Sequence, residues 1–320
     1  MEKHNLYDVI IVGGGPAGLT AGIYAMRAAM KTLLIEKGAA GGQVNNSYIV
    51  ENWPGSEKIN GLELAEKMTA HATSYGLEII NHEVKSIEPG IECHTVHLDG
   101  GEKLNTCSII LATGGSPRKL GVLGENELYG KGVSYCAVCD GFFYRGKNVV
   151  VVGGGDSALE ESLYLAKIAA KVYLVHRRDV FRGSTILQKR VRAENKIEIV
   201  FNTIVTAIKA EKNGVTGVKI QDTISGQERD LATDGVFIYI GFIPNNELVP
   251  SGTRKNEDGF VITGDRCETR HPGIFVVGDL REKYYRQIIT AAADGCTAAL
   301  TAAHYVEEMK AINPALRSKY

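Results

Sequence analysis

The chain has 320 residues, of which 44% are hydrophobic and 23% are charged, and its formal net charge is −1. This length and composition allow two globular domains with buried cores, and the near-neutral charge argues against nucleic acid or an anionic membrane as a partner. No apolar run approaches the roughly 20 residues of a membrane helix, and the N-terminal sequence does not have the pattern of a signal peptide. We therefore expect a protein of the reducing cytoplasm.

Two stretches repeat the same pattern 140 residues apart: DVIIVGGGPAG at 8–18 and NVVVVGGGDSA at 148–158. In each, a β-branched strand runs into three glycines, and a helical pattern and a second strand follow. The predicted helices cover about 16–30 and 156–169, and the predicted second strands cover 32–36 and 171–176. Strand, glycine turn, helix and strand in this order indicate two units that bind dinucleotides.

The three small residues of each turn have separate predicted roles. The first makes a tight turn, the middle one lets the backbone approach a diphosphate, and the last lets the helix pack closely on the strand. The diphosphate then lies at a helix N-terminus, where N–H groups and the helix dipole favour an anion. These residues are Gly13, Gly15 and Gly18 in the first copy and Gly153, Gly155 and Ala158 in the second.

The residue 23 positions after the first glycine differs between the copies: Glu36 in the first and His176 in the second. Glu36 is placed to accept hydrogen bonds from adenosine ribose hydroxyls, and it would repel a 2′-phosphate. The second copy continues as HRRDVFR, and its three arginines suit a phosphate dianion; they are Arg177, Arg178 and Arg182. The second copy is thus predicted to bind NADP(H), with an ordinary solvated surface as the alternative reading of the arginines.

Of the six cysteines, only Cys136 and Cys139, in the sequence YCAVCDGFFY, are close neighbours; the others stand alone at Cys93, Cys107, Cys267 and Cys296. A zinc site needs further ligands that the sequence does not offer, so no metal site is predicted. A purely structural disulfide across two residues would constrain little. A redox dithiol is the better interpretation. Asp140 is the nearest group able to move a proton, with a simple turn residue as its alternative.

The remaining predicted elements indicate a discontinuous organisation. Buried-type strands are predicted within 108–117, 236–244 and 274–279, and an alanine-rich helix is predicted over about 287–310. The Gly- and Pro-bearing connections after the first two of these strands are candidate linkers. One domain would comprise 1–116 and 247–320, and the second domain, 117–246, would be inserted between its halves.

Together these motifs resemble the low-molecular-weight thioredoxin reductases over the whole chain. The matching segments are GGGPAG at 13–18, GGQ at 41–43, ENWPG at 51–55, ATG at 112–114, CAVCDG at 136–141, GGGDSALEE at 153–161, HRRDVFR at 176–182 and IFVVGDLREKYYRQIITAAADGCTAA at 274–299. Ala137–Val138 between the cysteines, and Ala293, depart mildly from the family pattern. The resemblance implies an α/β fold of two Rossmann-like dinucleotide-binding domains, of the three-layer ββα type, with the second inserted into the first.

The resemblance also implies FAD in the first domain and NADPH in the second. Besides Glu36 and the first glycine turn, the FAD-binding residues would be Pro16, Ala17, Lys37, Gly42, Gln43, Asn52, Thr113, Gly114, Gly278, Asp279, Arg286, Gln287 and Ile288. Besides the second turn, His176 and the three arginines, the NADPH-binding residues would be Asp156, Ser157, Ile240 and Gly241.

The implied reaction passes electrons from NADPH through FAD to the pair Cys136–Cys139 and then to thioredoxin or a thioredoxin-like protein. Cys139 would face the flavin, and Cys136 would attack the disulfide of the partner. The inserted domain would rotate between the two half-reactions, and the family forms homodimers.

Other functions are weighed against this one. A ferredoxin- or quinone-directed reductase would lack the redox cysteines, and a dithiol oxidase would lack an intact nucleotide site. A peroxiredoxin-directed reductase would usually carry an extra N-terminal thiol domain. A non-catalytic nucleotide-binding or redox-sensing protein would be colourless, or its flavin would not be bleached by NADPH.

Overall fold

The structure is a computed structural model and describes residues 6–47, 49–212 and 214–316. Its strands are β1 (Leu6–Val12), β2 (Thr32–Glu36), β3 (Glu78–Asn81), β4 (Val84–Glu88), β5 (His94–Leu98), β6 (Lys103–Leu111), β7 (Gly115–Pro117), β8 (Val133–Ser134), β9 (Asn148–Gly153), β10 (Lys171–Val175), β11 (Ile197–Val200), β12 (Thr203–Glu211), β13 (Gly214–Asp222), β14 (Glu228–Ala232), β15 (Gly235–Tyr239), β16 (Phe242–Pro244) and β17 (Ile274–Val276). Its α-helices are α1 (Pro16–Arg27), α2 (Gly61–Ser74), α3 (Ala137–Asp140), α4 (Asp156–Ala166), α5 (Thr185–Ala193) and α6 (Ile288–Ile312).

The chain forms two compact units. Within the described residues, the first unit comprises 6–47, 53–116 and 243–316, and the second comprises 49–52 and 117–242. The short strands β7 and β16 pair with each other where the chain passes from one unit to the next.

The first unit is built on a sheet with the strand order β3-β2-β1-β6-β5-β4, and β17 also pairs with β6. Strands β1, β2, β3, β6 and β17 are parallel, whereas β5 is antiparallel to both β4 and β6. The central strands are buried, as in parallel sheets covered on their faces. Helix α6 packs closely on α1 at Gly295. A Cβ on this residue would lie 2.1 Å from the Ala17 carbonyl oxygen, so only glycine allows the two helices to approach this closely.

The second unit has three layers. Its parallel sheet has the order β11-β10-β9-β15-β8, and a separate antiparallel sheet has the order β12-β13-β14. Successive side chains of a strand point to opposite faces, so Val149 and Val151 pack with α4 and α5, whereas Val150 and Val152 pack with the antiparallel sheet. The predicted α/β fold with Rossmann-like, three-layer units is confirmed.

The repeat predicted from the sequence has the same strand register in both copies. Val9 pairs with Thr32 in the first unit, and Val149 pairs with Val172 in the second. Both pairs are related by the 140-residue offset. The two strand–turn–helix–strand segments therefore have the same local construction.

The first helix of each copy ends three residues before its predicted end. Helix α1 ends at Arg27 rather than 30, and α4 ends at Ala166 rather than 169. In the first copy, Ala29 adopts the left-handed conformation with φ of 56°, and its N–H donates to the Met26 carbonyl. The chain needs these residues to reverse into the next parallel strand. Within the part of the chain that the structure describes, no helix is both long and apolar enough to cross a membrane.

Candidate active site

The first glycine of each turn lies against the backbone of a neighbouring segment. Gly13 has φ of 106°, and a Cβ there would lie 2.4 Å from the Ala112 carbonyl oxygen. A Cβ on Gly153 would lie 2.4 Å from the Tyr239 carbonyl oxygen. A side chain at either position would collide with backbone, so the fold itself requires glycine at both.

The middle glycines, Gly15 and Gly155, have open space where a side chain would project. A Cβ on Gly15 would meet only Gly42, at 4.0 Å, and a Cβ on Gly155 would meet no heavy atom of the described residues within 4 Å. These glycines cap the N-termini of α1 and α4. Since the protein does not require glycine there, this space supports the proposal that a diphosphate approaches each turn.

We predict that Gly155→Ala raises the KM for NADPH by at least about tenfold, equivalent to about 1.4 kcal/mol, because its methyl group occupies the space of the diphosphate. Its backbone conformation, φ −94° and ψ 179°, suits alanine, so the variant should fold normally. A Cβ on Gly154 would lie 2.2 Å from His176 Cε1, and Gly154→Ala should therefore lower the melting temperature instead. Steady-state kinetics and thermal unfolding separate the two effects; an unchanged KM in Gly155→Ala would contradict the prediction.

Glu36, at the end of β2, holds the first turn in place. Its Oε2 accepts a hydrogen bond from the Gly14 N–H at 2.6 Å, and its Oε1 accepts one from the Gly38 N–H at 2.9 Å. The neighbouring Lys37 is exposed. The carboxylate is thus fixed at the carboxyl edge of the sheet, where the ribose of a dinucleotide bound to such a turn is expected.

The predicted FAD residues from the next segment lie beside the same turn. A Cβ on Gly42 would lie 3.1 Å from the Gly15 Cα. The Gln43 side chain is exposed, and its Nε2 donates to the Gly115 carbonyl at 3.1 Å. Gly42 therefore lies against the turn, whereas Gln43 is tied to the chain that follows β6.

Two further predicted FAD residues, Thr113 and Gly114, are held by Asn245. The Thr113 hydroxyl donates to the Asn245 carbonyl at 2.6 Å, and the Asn245 side chain donates back to the Thr113 carbonyl at 2.7 Å. The Gly114 carbonyl accepts from the Asn245 N–H at 3.0 Å. Asn52, by contrast, is exposed, and its contact with FAD stays a prediction.

The N-terminus of α6 carries the last predicted FAD residues. Helix α6 begins at Ile288, with Gln287 as its N-cap. The guanidinium of Arg286 lies 4.0 Å from the ring centre of Phe260. A helix of this length presents a partial positive charge at this end, which would favour a reduced, anionic flavin.

Gly278 and Asp279 are supported by an acidic residue that the sequence did not single out. The Asp294 carboxylate accepts from the Gly278 N–H at 3.0 Å and also binds Lys283 at 2.6 Å and Arg281 at 2.9 Å. Burial raises the pKa of Asp279, and among the described residues no partner hydrogen-bonds its buried Oδ1 atom.

These observations fit a bound FAD in the first unit. A Cβ on Gly278 would lie 3.1 Å from the Cβ of Ala17 at the start of α1, so Gly278 and the adjacent Asp279 lie close to the end of the helix that follows the first glycine turn. The Asp279 oxygen would be satisfied by a ligand hydroxyl, and the space beside Gly15 would admit a diphosphate. An unpaired buried oxygen is costly in a protein, which favours a ligand there.

In the second unit the three arginines of HRRDVFR are all exposed: Arg177, Arg178 and Arg182. His176 is instead buried, with its Nε2 3.0 Å from the Val180 carbonyl and its ring against Gly154. Burial lowers the pKa of His176, so the neutral ring is favoured. The contacts of His176 are those of a packing residue beneath the turn, and its contact with NADPH stays a prediction.

The other predicted NADPH residues lie at the start of α4 and after β15. Asp156 Oδ1 accepts from the Ser184 N–H at 2.6 Å, which ties α4 to the start of α5. Gly241 has φ of 125°, and its carbonyl accepts from the Arg118 N–H at 2.9 Å. Ser157 is exposed, Ala158 is fully buried, and Ile240 is half-buried.

Cys136 and Cys139 form a disulfide with an S–S distance of 2.07 Å and a Cα–Cα distance of 5.3 Å. Cys136 caps the short helix α3, and its Sγ accepts from the Cys139 N–H at 3.2 Å. Ala137 is fully buried, and its N–H donates to the Tyr239 hydroxyl. Among the described residues, no group of three or more His, Cys, Asp or Glu side chains is arranged to hold a metal ion.

Asp140 is tied to the disulfide through Ser134. The Ser134 hydroxyl donates to Asp140 Oδ2 at 2.6 Å and accepts from the Cys136 N–H at 3.0 Å. Burial raises the pKa of Asp140, and the Ser134 hydrogen bond opposes that shift only in part. A carboxyl group with a raised pKa is suited to hold a proton beside a thiol.

A second carboxyl group, Glu161 on α4, lies close enough to Tyr239 to interact with it electrostatically. Burial raises the pKa of the Tyr239 hydroxyl, and the negative charge of Glu161 raises it further. Burial and the neighbouring Glu160 raise the pKa of Glu161 to about 7, and its buried Oε2 has no hydrogen-bond partner among the described residues. Glu161 lies in the segment GGGDSALEE, but no sequence signal places it beside Tyr239.

We predict that Glu161→Gln stabilises the nucleotide-free protein above pH 7 by at most about 3 kcal/mol. The folded pKa of about 7 lies above the ordinary value of 4.5. Below pH 4.5 the carboxyl is protonated in both the folded and the unfolded state. As pH rises from 4.5 to 7, the unfolded wild type loses this proton while the folded wild type keeps it, so the wild type loses stability relative to the variant.

Denaturant unfolding at pH 4, 6 and 8 measures this difference. Glu66 on α2 is exposed, and Glu66→Gln serves as the control, with a change expected within about 0.5 kcal/mol at every pH. If the difference in unfolding free energy between Glu161→Gln and the wild type did not change with pH, the raised pKa of the buried Glu161 carboxyl would be contradicted.

Comparisons with known proteins show the family of this chain. The family model described as pyridine nucleotide-disulphide oxidoreductase matches residues 7–295. The thioredoxin reductase of Bacillus subtilis (strain 168) is 47% identical over 310 residues, which are 97% of this chain and 98% of that protein. The structure of thioredoxin reductase from Streptococcus pyogenes MGAS5005 matches with a TM-score of 0.91 and 43% identity, covering 95% of this chain and 99% of that chain. The thioredoxin reductase from Giardia duodenalis matches with a TM-score of 0.90 and 38% identity, covering 95% and 100%.

A disulfide in a unit with a dinucleotide-binding turn defines a nucleotide-dependent disulfide oxidoreductase. The chain belongs to the pyridine nucleotide-disulphide oxidoreductase family, and within it to the low-molecular-weight thioredoxin reductases. It is an NADPH-dependent flavoprotein enzyme with FAD and NADPH as its cofactors. The family, the enzyme class and the cofactors predicted from the sequence are thereby confirmed.

Proposed function

We propose that this enzyme reduces the disulfide of a thioredoxin through Cys136 and Cys139, with FAD bound in the first unit and NADPH in the second. When bound, FAD supplies the capacity to accept a hydride from NADPH and to pass an electron pair to a disulfide. The observation that carries the proposal is the Cys136–Cys139 disulfide in the same unit as the arginine-bearing turn.

Cys136 is the proposed nucleophile toward the partner. Its Sγ accepts the Cys139 N–H, a contact that would stabilise a thiolate. The thiolate attacks one sulfur of the partner disulfide, a mixed disulfide forms, and the other partner sulfur leaves as a thiolate. Cys139 then attacks Cys136 Sγ, which releases the second partner thiol and re-forms the Cys136–Cys139 bond.

Asp140 is the proposed proton donor and acceptor of these steps. Its raised pKa and its link through Ser134 to the Cys136 backbone support the proposal that it holds a proton close to the pair. The proton would go to the departing thiolate, and water would restore it.

We also propose that the inserted unit rotates about the linkers that contain β7 and β16. The disulfide and the second glycine turn both belong to that unit. A disulfide held against a flavin could not reach a bulky protein at the same time, so the two half-reactions need different arrangements. A reagent that covalently joins the two units should stop turnover while FAD stays bound, and full activity of the joined protein would refute rotation.

An anaerobic titration tests the proposed function. NADPH should bleach the flavin absorbance of the purified protein at lower concentrations than NADH, and addition of an oxidised thioredoxin should restore the colour. A colourless protein, or a flavin that NADPH does not bleach, would overturn the proposal. A homodimeric state and a cytoplasmic location are further proposals, which size-exclusion chromatography and cell fractionation test.

A further inference from the structure

Cys93 and Cys107 lie opposite each other on neighbouring antiparallel strands. Strands β5 and β6 pair with His94 opposite Thr106. Cys93 directly precedes β5, so continuing this register by one residue places it opposite Cys107. The two cysteines are 14 positions apart in sequence, and only the strand pairing brings them together.

The position of this pair within the ladder favours close approach of the two side chains. The Leu98 N–H donates to the Glu102 carbonyl at 2.9 Å, which makes that pair a hydrogen-bonded one. Hydrogen-bonded and non-hydrogen-bonded pairs alternate along an antiparallel ladder. Cys93 and Cys107 are five pairs further on and therefore occupy a non-hydrogen-bonded position, where Cα atoms are about 4.5 Å apart. Disulfides need Cα separations of about 4.4–6.8 Å.

The two thiols already interact and differ in accessibility. Cys93 is half-buried, whereas Cys107 is fully buried. Their side-chain interaction lowers the pKa of Cys93 and, together with burial, raises the pKa of Cys107. The accessible sulfur is thus the better thiolate, and the inaccessible sulfur keeps its proton beside it.

A cavity of about 330 Å³ borders this region of the first unit, and Gly273 and Tyr305 line it. A Cβ on Gly273 would lie 3.0 Å from the Cys107 carbonyl oxygen. Burial raises the pKa of the Tyr305 hydroxyl, and electrostatic interaction with Cys107 and Cys93 raises it further. Gly273 thus separates the cavity from the backbone of Cys107, and the two cysteines are not among the residues that line the cavity.

We propose that Cys93 and Cys107 are a second redox site, which a hydroperoxide oxidises to a cross-strand disulfide. The Cys93 thiolate attacks a peroxide oxygen, the O–O bond breaks, and an alcohol or water leaves with a proton taken from the solvent. Cys93 is then a sulfenic acid. The Cys107 sulfur attacks Cys93 Sγ, the S–S bond forms, and the sulfenic oxygen leaves as water with the Cys107 proton. Two thiols lose two electrons, and one peroxide gains them.

The test uses the full chain carrying Cys136→Ser and Cys139→Ser, which leaves four of the six cysteines. After treatment with a small excess of hydrogen peroxide, thiol titration under denaturing conditions should fall from four to two, and dithiothreitol should restore four. Mass spectrometry of the alkylated digest should find the Cys93 peptide joined to the Cys107 peptide. Retention of four thiols would overturn the proposal.

Two matched variants in the same background locate the reaction. Cys93→Ser should abolish the cross-linked peptide, whereas Cys296→Ser should retain it. A Cys93 that stops at sulfenic or sulfinic acid, or a link between Cys267 and Cys296, would also overturn the proposal. If the background variant does not fold, the wild-type protein gives the same readout, because the Cys93–Cys107 and Cys136–Cys139 links produce different peptides; absence of the former would refute the site.

Discussion

Replacement of Cys136 by serine should lower kcat/KM for thioredoxin reduction by at least about 10³-fold, as expected when a nucleophile is removed. A serine hydroxyl cannot form the mixed disulfide or be re-oxidised by Cys139. Cys136 lies in the second unit, whereas nearly all residues predicted for FAD lie in the first. The variant should therefore keep its flavin and should still be bleached by NADPH, which separates loss of the thiol from loss of the fold.

The companion variant Cys139→Ser distinguishes the roles of the two sulfurs. With Cys136 present and Cys139 absent, the mixed disulfide with thioredoxin has no internal thiol to resolve it and should accumulate on a non-reducing gel. Cys136→Ser should form no such adduct. Cys296→Ser, which removes a half-buried thiol on α6, is the control with normal turnover. If the adduct formed in Cys136→Ser and not in Cys139→Ser, Cys139 rather than Cys136 would be the sulfur that attacks thioredoxin.

The double variant Arg177→Ala/Arg178→Ala should lower kcat/KM for NADPH by about 10²-fold and leave kcat/KM for NADH nearly unchanged. Hydrogen bonds to charged groups contribute about 1.5–3 kcal/mol each, and solvent exposure of these arginines places the expected effect at the lower end. The 2′-phosphate is the only group by which the two nucleotides differ. Loss of its partners should therefore affect only NADPH.

Steady-state kinetics with both nucleotides at fixed ionic strength measure this effect. Lys189→Ala/Arg190→Ala is the matched control, because it removes two exposed positive charges from the neighbouring helix α5. The control should change NADPH kinetics by much less, since general attraction of an anion falls off over about 8–10 Å in salt. Equal losses with NADPH and NADH would contradict a phosphate site at Arg177 and Arg178.

The repeated nucleotide-binding units could be predicted from the sequence because their signals are local. β-branched runs, glycine turns and helical periodicity each occur within about 30 consecutive residues. The strand 32–36 was predicted with its observed bounds. The helix ends were less well predicted, since the left-handed Ala29 and the chain reversal after Arg27 depend on where the next strand packs.

The surroundings of the redox pair could not be predicted in the same way. Ser134 and Tyr239 lie on the neighbouring strands β8 and β15, which are about 100 residues apart in the chain. Glu161 comes from a third segment. Ser134 and Tyr239 each contribute one hydroxyl oxygen to the backbone of Cys136 or Ala137, and Glu161 acts on Tyr239. Such contacts have no periodicity in the sequence. The same holds for Asp294, which supports Gly278 from the middle of α6.

The sequence by itself determined that this chain contains two dinucleotide-binding units and a close pair of thiols, and it distinguished the two units by Glu36 and the arginine cluster. Only the tertiary structure decided which distant groups adjust the chemistry of those thiols, and that Cys93 does not stand alone. The turns depend on residues that are neighbours in the chain. The pairing of Cys93 with Cys107 depends on the register of two strands, which a shift of one residue would abolish.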